Sequence, residues 1–292
     1  MSLKRPEHLR PATASLEARY RARAQAYSLD VADDGYVIAA GDPPQDQRLD
    51  VQQACSSGKW VVCPATDCLG ECMDAGCSCS RTVNPTARDG FSRYVAQRIA
   101  EVSAGQREVA YASFGCGLLR FDFFFLEALL AAGVPVTAVH LVDSQYEPGG
   151  ETHERHRAAL AQFAAWFADR SVEVYAHPSL EQFAFRVRQA QVLPVAVLQV
   201  DCTELTGVFD RDVKPMLEEV LAYGGLFCAL TARAGAAPGG LRNGTSDAWG
   251  EIWRLVPERG RLDLLSRLRF RPEEPEGRLL GEDEPLPPAV SH

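Results

Sequence analysis

The chain has 292 residues, of which 46% are hydrophobic and 24% charged, an ordinary globular composition that can bury a sizeable core. Thirty Lys and Arg against 39 Asp and Glu give a net charge of −9, which disfavours a broadly basic nucleic-acid surface. No apolar run reaches the roughly 18 residues that cross a bilayer. No apolar stretch follows the early arginines as in a secretory signal. We therefore expect a cytoplasmic protein without a membrane partner.

The first 86 residues contain few regular elements. The spacing of Leu16, Tyr20 and Ala24 predicts an amphipathic helix over 13–27. Residues 28–90 show little further periodicity, apart from an apolar run at 60–62 that is typical of a short strand. We expect this region to be largely irregular before the next helix.

A cluster of cysteines lies in this irregular segment. Five thiols fall within 17 residues, at Cys63, Cys68, Cys72, Cys77 and Cys79. Four thiolates complete a tetrahedral zinc site, and Gly70 and Gly76 would let the backbone turn around the ion. The spacings differ from paired CxxC motifs, so three interpretations stay open: structural zinc, reduced or redox-active thiols, and disulfides.

From residue 87 the pattern alternates between helices and short apolar strands. Helices are predicted over 87–102, 118–132, 151–168, 179–190 and 211–223, and strands over 109–113, 134–142, 171–175, 195–200 and 225–231. Parallel strands that are buried on both faces form continuous apolar runs joined by crossover helices. The pattern predicts an α/β fold with a doubly wound, mostly parallel sheet.

The remainder of the chain is less regular. Residues 232–250 are rich in Gly and Ala and predict a loop, whereas 262–270 predicts one more strand or helix. Residues 272–292 hold five Pro and six acidic residues against one Arg, which is typical of a disordered tail. The predicted organisation is an N-terminal helix and Cys-rich segment over 1–86, one α/β domain over 87–271, and an acidic tail.

Small and acidic residues follow three of the predicted strands. They are Ser113, Phe114, Gly115, Cys116 and Gly117 after the first strand, Asp143 after the second, and Asp201 and Glu204 after the fourth. In open parallel sheets, ligands bind beyond the carboxyl ends of the strands. Glycines there let a ligand approach the backbone. A carboxylate after the second strand can accept two hydrogen bonds from the vicinal hydroxyls of a ribose.

Over about residues 90–231 the chain resembles the class I S-adenosylmethionine-dependent methyltransferases. The resemblance rests on the turn at 113–117, on Asp143, on the sequence at 201–204 and on Gly224 and Gly225 before the fifth strand. It implies a Rossmann-like methyltransferase fold. It also implies S-adenosylmethionine as cofactor, bound by Ser113, Phe114, Gly115, Gly117, Asp143 and Asp201.

The resemblance implies methyl transfer, with Asp201 and Glu204 as catalytic candidates. The acceptor, a small molecule or a protein, is not named by the sequence. Tyr111 stands where the family usually has an acidic residue and Ser113 where it has glycine. The alternative is therefore a non-catalytic interaction protein on a degenerate methyltransferase-like fold, with a zinc-stabilised N-terminal module. A nicotinamide enzyme is disfavoured because Arg120 replaces the third small residue of its glycine motif.

Overall fold

The computed structural model of the chain describes residues 30–31, 37–40, 49–54, 59–64, 68–70, 80, 84–149, 152–190, 192–202, 205, 208–232, 247–271 and 274–280. Two compact units are present. Unit 1 comprises Met1–Glu71 and Ser103–Arg186, and unit 2 comprises Cys72–Val102 and Val187–His292. None of the described helices is both long and apolar enough to cross a membrane.

The strands and helices are numbered along the chain. They are β1 (Asp30–Val31), β2 (Val37–Ala40), β3 (Leu49–Ala54), β4 (Lys59–Pro64), α1 (Pro85–Val102), β5 (Val109–Phe114), α2 (Arg120–Ala131), β6 (Val136–Val142), α3 (His153–Phe167), β7 (Glu173–His177), α4 (Leu180–Arg188), β8 (Pro194–Val200), α5 (Lys214–Val220), β9 (Leu226–Ala232), β10 (Ala248–Val256), β11 (Arg261–Arg271) and β12 (Glu274–Leu279). A 3-10 turn covers Ser144–Tyr146, and a π-helix at Phe209–Val213 precedes α5.

Unit 1 is built on three parallel strands in the order β5-β6-β7. Helix α2 connects the first strand to the second, and α3 connects the second to the third. The pairing sets Ser113 opposite Leu141 and Leu141 opposite Ala176, so the carboxyl ends of the three strands lie at one edge. These β-α-β connections confirm the predicted α/β fold class.

Aromatic side chains fill the core of unit 1. The Phe123 ring of α2 lies 5.4 Å from that of Trp166 and 5.6 Å from that of Phe167, both on α3. The indole N–H of Trp166 donates to a buried carboxylate oxygen of Glu127 at 2.6 Å. The buried indole N–H of Trp166 is therefore satisfied inside the core.

Unit 2 combines parallel and antiparallel strands in the order β12-β11-β10-β9-β8. Strands β8 and β9 are parallel, with Leu198 opposite Cys228. Strand β10 then runs antiparallel to β9, placing Ile252 opposite Cys228, and β11 and β12 continue this antiparallel pairing. The strands of the predicted β/α pattern, β8 and β9, are therefore parallel, and β10 to β12 add an antiparallel extension.

The elements from 85 to 232 agree with the sequence within a few residues, whereas the chain outside them differs. Residues 28–90 were expected to be largely irregular, but β1 to β4 form an antiparallel sheet in the order β1-β2-β4-β3. The helix expected at 13–27 lies outside the described residues. The short strand expected at 60–62 is present as β4, whereas β1 to β3 were not predicted, because runs such as Leu49–Ala54 are short and polar and their stability comes from pairing partners.

The C-terminal part brings two corrections. Residues 232–250 were predicted to be a loop, but β10 already begins at Ala248. Disorder was predicted for 272–292, and this is wrong for Glu274–Leu279, which form β12 against β11. Prolines and acidic residues are typical of disordered tails, yet an edge strand tolerates them because one side of its backbone stays unpaired.

Candidate functional site

The turn after β5 needs glycine at two positions. Gly115 has a φ of 63° and Gly117 a φ of 53°, backbone conformations that residues with a Cβ rarely adopt. The N–H of Gly115 donates to the carbonyl of Val142 at 2.8 Å, which fixes the turn to the end of β6. A Cβ at Gly117 would meet none of the described atoms within 4 Å. The backbone of the turn is therefore open to a ligand at this residue.

Asp143 joins the end of β6 to the glycine turn. One carboxylate oxygen, Oδ2, accepts the backbone N–H of Gly117 at 2.8 Å. The other, Oδ1, accepts the N–H of Gln145 at 3.0 Å and so caps the 3-10 turn. Each oxygen has a second lone pair, and the side chain is half-buried. The structure thus brings together two residues, 26 positions apart, that the sequence predicts to bind one ligand.

The other two residues of the predicted cofactor turn point into the core. Ser113 is 2% exposed and Phe114 is fully buried. The Phe114 ring packs edge-on against Phe183 of α4, with centroids 5.2 Å apart. These side chains support the turn from below, so any contact they make with a ligand would come through the backbone.

A polar cluster that the sequence did not predict lies around the glycine turn. The Cys116 thiol is 3.4 Å from the hydroxyl of Tyr146 and 3.7 Å from the carbonyl of Val142. Burial, together with the negative charge of Asp122, raises the pKa of Cys116 and of Tyr111 well above the ordinary values. We therefore expect both groups to be protonated and neutral, which disfavours Cys116 as a nucleophile. An acidic residue in the apolar sequence of α2 was the feature that could have revealed the cluster.

Two buried histidines lie side by side in unit 1. His140 Nδ1 is 3.1 Å from His177 Nε2, and the two rings stack with centroids 5.3 Å apart. The pKa of each is lowered to about 4, mainly by burial, with the charge of His177 contributing at His140 and that of Arg186 at both. His140 is thus a core histidine with a hydrogen-bond partner. Its partner was not foreseen, because pairing between strands is not visible in local sequence.

Asp201, the residue predicted after β8, lies in unit 2 and is engaged by two neighbours. Its Oδ1 accepts the N–H of Ser80 at 2.8 Å, and its Oδ2 accepts the Ser80 hydroxyl at 2.6 Å. The Arg88 guanidinium donates to Oδ2 at 2.7 Å, and the Asp201 side chain is only 7% exposed. Its φ of 59° is unusual for a residue other than glycine. This carboxylate therefore anchors the chain before α1 to the end of β8.

The remaining predicted site residues are Glu204 and the five cysteines of the cluster. Glu204, Cys72, Cys77 and Cys79 lie outside the described residues. Cys63 falls within β4, where the backbone alone is described, and the N–H of Cys68 donates to the side chain of Gln162 at 3.0 Å. The described part of the chain contains no group of three or more metal-binding side chains. The zinc site therefore stays a prediction.

No family model matches the chain, and no curated protein matches it. Among solved structures, a Listeria monocytogenes protein described as a class I S-adenosylmethionine-dependent methyltransferase is 16% identical, with a TM-score of 0.33 and coverage of 50% of this chain and 46% of that one. A precorrin-6Y C5,15-methyltransferase of Geobacter metallireducens is 11% identical, with a TM-score of 0.31 and coverage of 48% and 63%. A spermidine synthase of Corynebacterium glutamicum is 11% identical, with a TM-score of 0.32 and coverage of 68% and 61%.

In each of these three matches the chain spans less than two thirds of the other protein's length. They also differ in chemistry, since one of the three is named a synthase. The Rossmann-like α/β assignment rests on the parallel β-α-β connections of the chain itself. The function is argued from the site residues.

Proposed function

We propose that the glycine turn and Asp143 bind S-adenosylmethionine, and that the protein transfers its methyl group to a small molecule or a protein. The observation that carries the proposal is the 2.8 Å hydrogen bond from Gly117 N–H to Asp143 Oδ2. It links an open backbone turn to a half-buried carboxylate at the carboxyl edge of parallel strands, where ligands of this fold class bind.

The residues present fit such a cofactor. Gly117 leaves the backbone uncovered where the methionine part would pass, and Gly115 supplies the positive φ that the turn needs. Asp143 keeps one lone pair on each oxygen after its two backbone hydrogen bonds, and two acceptors side by side suit a vicinal diol. When bound, the cofactor supplies a methyl group on a positively charged sulfur.

The contribution of the protein to such a reaction is mainly one of position. Holding the two reactants in line can lower the barrier by about 7–11 kcal/mol without any proton transfer. Asp201 is a poor candidate for a base, because Arg88 and Ser80 occupy both of its oxygens. Where the acceptor must lose a proton, Glu204 stays the sequence-based candidate.

Calorimetric titration with S-adenosylmethionine and S-adenosylhomocysteine tests the proposal. We expect saturable binding by the wild-type protein and at least a tenfold loss in Asp143→Ala, since both ribose acceptors disappear. Glu147→Gln, four residues away on an exposed side chain, is the matched control and should bind like wild type. No heat with either ligand at millimolar concentration would refute cofactor binding.

A second candidate is a non-catalytic interaction protein on the same fold. Two observations favour it: the buried Tyr111 at the position where the family has an acid, and the engagement of Asp201 by Arg88. The same titration separates the two candidates, because this protein would bind neither ligand. Zinc analysis of the purified full chain tests the predicted Cys-rich module independently. A zinc stoichiometry near zero would exclude a zinc-stabilised module.

A further inference from the structure

Strand β7 has a free edge. It is the last strand of its sheet, paired with β6 on one side and with none of the described strands on the other. The carbonyl of His177 accepts the N–H of Asp143, at the end of β6, at 3.1 Å. Because the backbone groups of successive residues point to opposite sides of a strand, those of Val174 and Ala176 point to the free edge. The edge therefore offers two N–H and two C=O groups to a further strand.

The space beside this edge can receive a strand. A recess of about 650 Å³ lies between β7 and α4, and Phe185 of α4, which is 62% exposed, lines it. The sequence of β7 contains neither Lys nor Pro, residues with which many proteins protect a sheet edge from pairing. The two residues whose backbone faces outward, Val174 and Ala176, have small side chains. Such an edge suits recognition by strand addition, in which main-chain hydrogen bonds supply the contact.

The sequence of β7 can pair with itself. In an antiparallel pair, residues whose backbone groups point outward face each other. One register fulfils this condition and pairs all five residues of Glu173–His177. It sets Val174 opposite Ala176 of the second copy and the reverse, with two backbone hydrogen bonds for each of these two pairs. Tyr175 then faces Tyr175 of the second copy, and cross-strand aromatic pairs stabilise a sheet.

The charges beside β7 fit the same two-fold arrangement. The Arg186 guanidinium lies over the Tyr175 ring, 5.7 Å from its centroid, and Glu173 accepts a hydrogen bond from the hydroxyl of the same tyrosine. Arg186 is exposed and forms no ion pair with another described residue. In this register, Glu173 of the second copy is diagonal to Tyr175, on the face of the sheet that Arg186 covers. Each copy therefore sets an acid against a cation of the other.

We propose that β7 pairs antiparallel with β7 of a second copy of this chain, which makes the protein a two-fold symmetric dimer whose sheet continues across the interface. A contact of this kind uses the same residues on both copies, and the sequence of β7 is complementary to itself in this way. The inference does not depend on the proposed function, since the pairing uses neither the glycine turn nor the side chain of Asp143.

Sedimentation velocity of the full chain over a range of micromolar concentrations tests the proposal. We expect wild type to sediment as a dimer. Glu173→Arg and Arg186→Glu should each weaken the dimer at least about tenfold, because two like-charge contacts replace two attractive ones. An equimolar mixture of these two variants should restore the dimer, since each contact then joins opposite charges again. Glu154→Arg, the same reversal on an 83% exposed side chain of α3, is the control and should dimerise like wild type.

Ala176→Pro tests the backbone pairing directly. It removes an outward-facing N–H that β6 does not use, so the circular dichroism should stay like that of wild type while the dimer is lost. A monomeric wild type, single charge variants that dimerise like wild type, or a mixture that stays monomeric would each overturn the proposal. Glu173 and Arg186 are exposed, so the charge variants decide the question even if the proline variant does not fold.

Discussion

Acid should destabilise this protein through its buried histidine pair. His140 and His177 are 2% and 5% exposed, and their rings share one hydrogen bond. Arg186 of α4 lowers the pKa of both, Glu181 of the same helix lines the pocket beside His177, and the close rings are those of Tyr175 and Phe183. Burial is the main cause of both lowered pKa values, so the folded state disfavours a positive charge on the pair.

The size and direction of the effect follow from linkage. Both pKa values are lowered from 6.5 to about 4 in the folded state, so the unfolded chain binds protons first as the pH falls. Stability is complete above pH 6.5 and declines from there to about pH 4. Each pKa unit is worth about 1.4 kcal/mol, so one histidine contributes on the order of 3 kcal/mol. Because the protons bind to a coupled pair, we expect a loss of at least about 3 kcal/mol.

Urea denaturation at a series of pH values between 7 and 4.5 measures this loss, with the fluorescence of the four tryptophans as the probe of unfolding. The double variant His140→Phe/His177→Phe should lose much less stability over this interval than wild type. His153→Gln, on the half-exposed start of α3, is the control and should follow the wild-type curve. If wild type and double variant decline in parallel, the reasoning about the pair is refuted.

Two further predictions concern unit 2. Arg88→Met should destabilise the protein by about 3–5 kcal/mol, because it leaves the nearly buried Asp201 without its cation. Arg188→Met, which breaks a pair that is more than half exposed, should cost less than about 1 kcal/mol, and similar losses in both variants would contradict the anchoring role. Gly277→Ala should lower the melting temperature more than Gly260→Ala. Both glycines have positive φ, but a Cβ on Gly277 would clash with the Phe270 ring, whereas one on Gly260 meets no described atom within 4 Å. Equal melting temperatures would contradict the packing of β12 on Phe270.

Much of unit 1 was visible in the sequence. Continuous apolar runs and helical periodicity located β5, α2 and β6 within two residues at each end, because burial on both faces leaves an unbroken apolar pattern. The glycine turn and Asp143 were also predicted, since a strand-to-helix turn needs glycine and a strand end carries its polar residue to the edge of the sheet. Their mutual hydrogen bond follows from that placement.

Other features depended on partners far along the chain. The position of Asp201 after a predicted strand suggests a carboxylate that faces a ligand. In the structure this carboxylate binds Arg88, 113 positions away. The hydrogen bond of the buried His140 depends on His177, and β12 forms by pairing with β11. In each case the residue type permits several environments, and local sequence does not choose between them.

The order of residues alone determined which segments are strands or helices from 85 to 232, and where the chain can turn sharply, because these depend on neighbours a few positions away. Only the tertiary structure decided which charges are neutralised, which polar groups are buried together, and which weakly patterned segments join the sheet. Such outcomes are set by contacts between distant residues, whose free energies no short stretch of sequence contains.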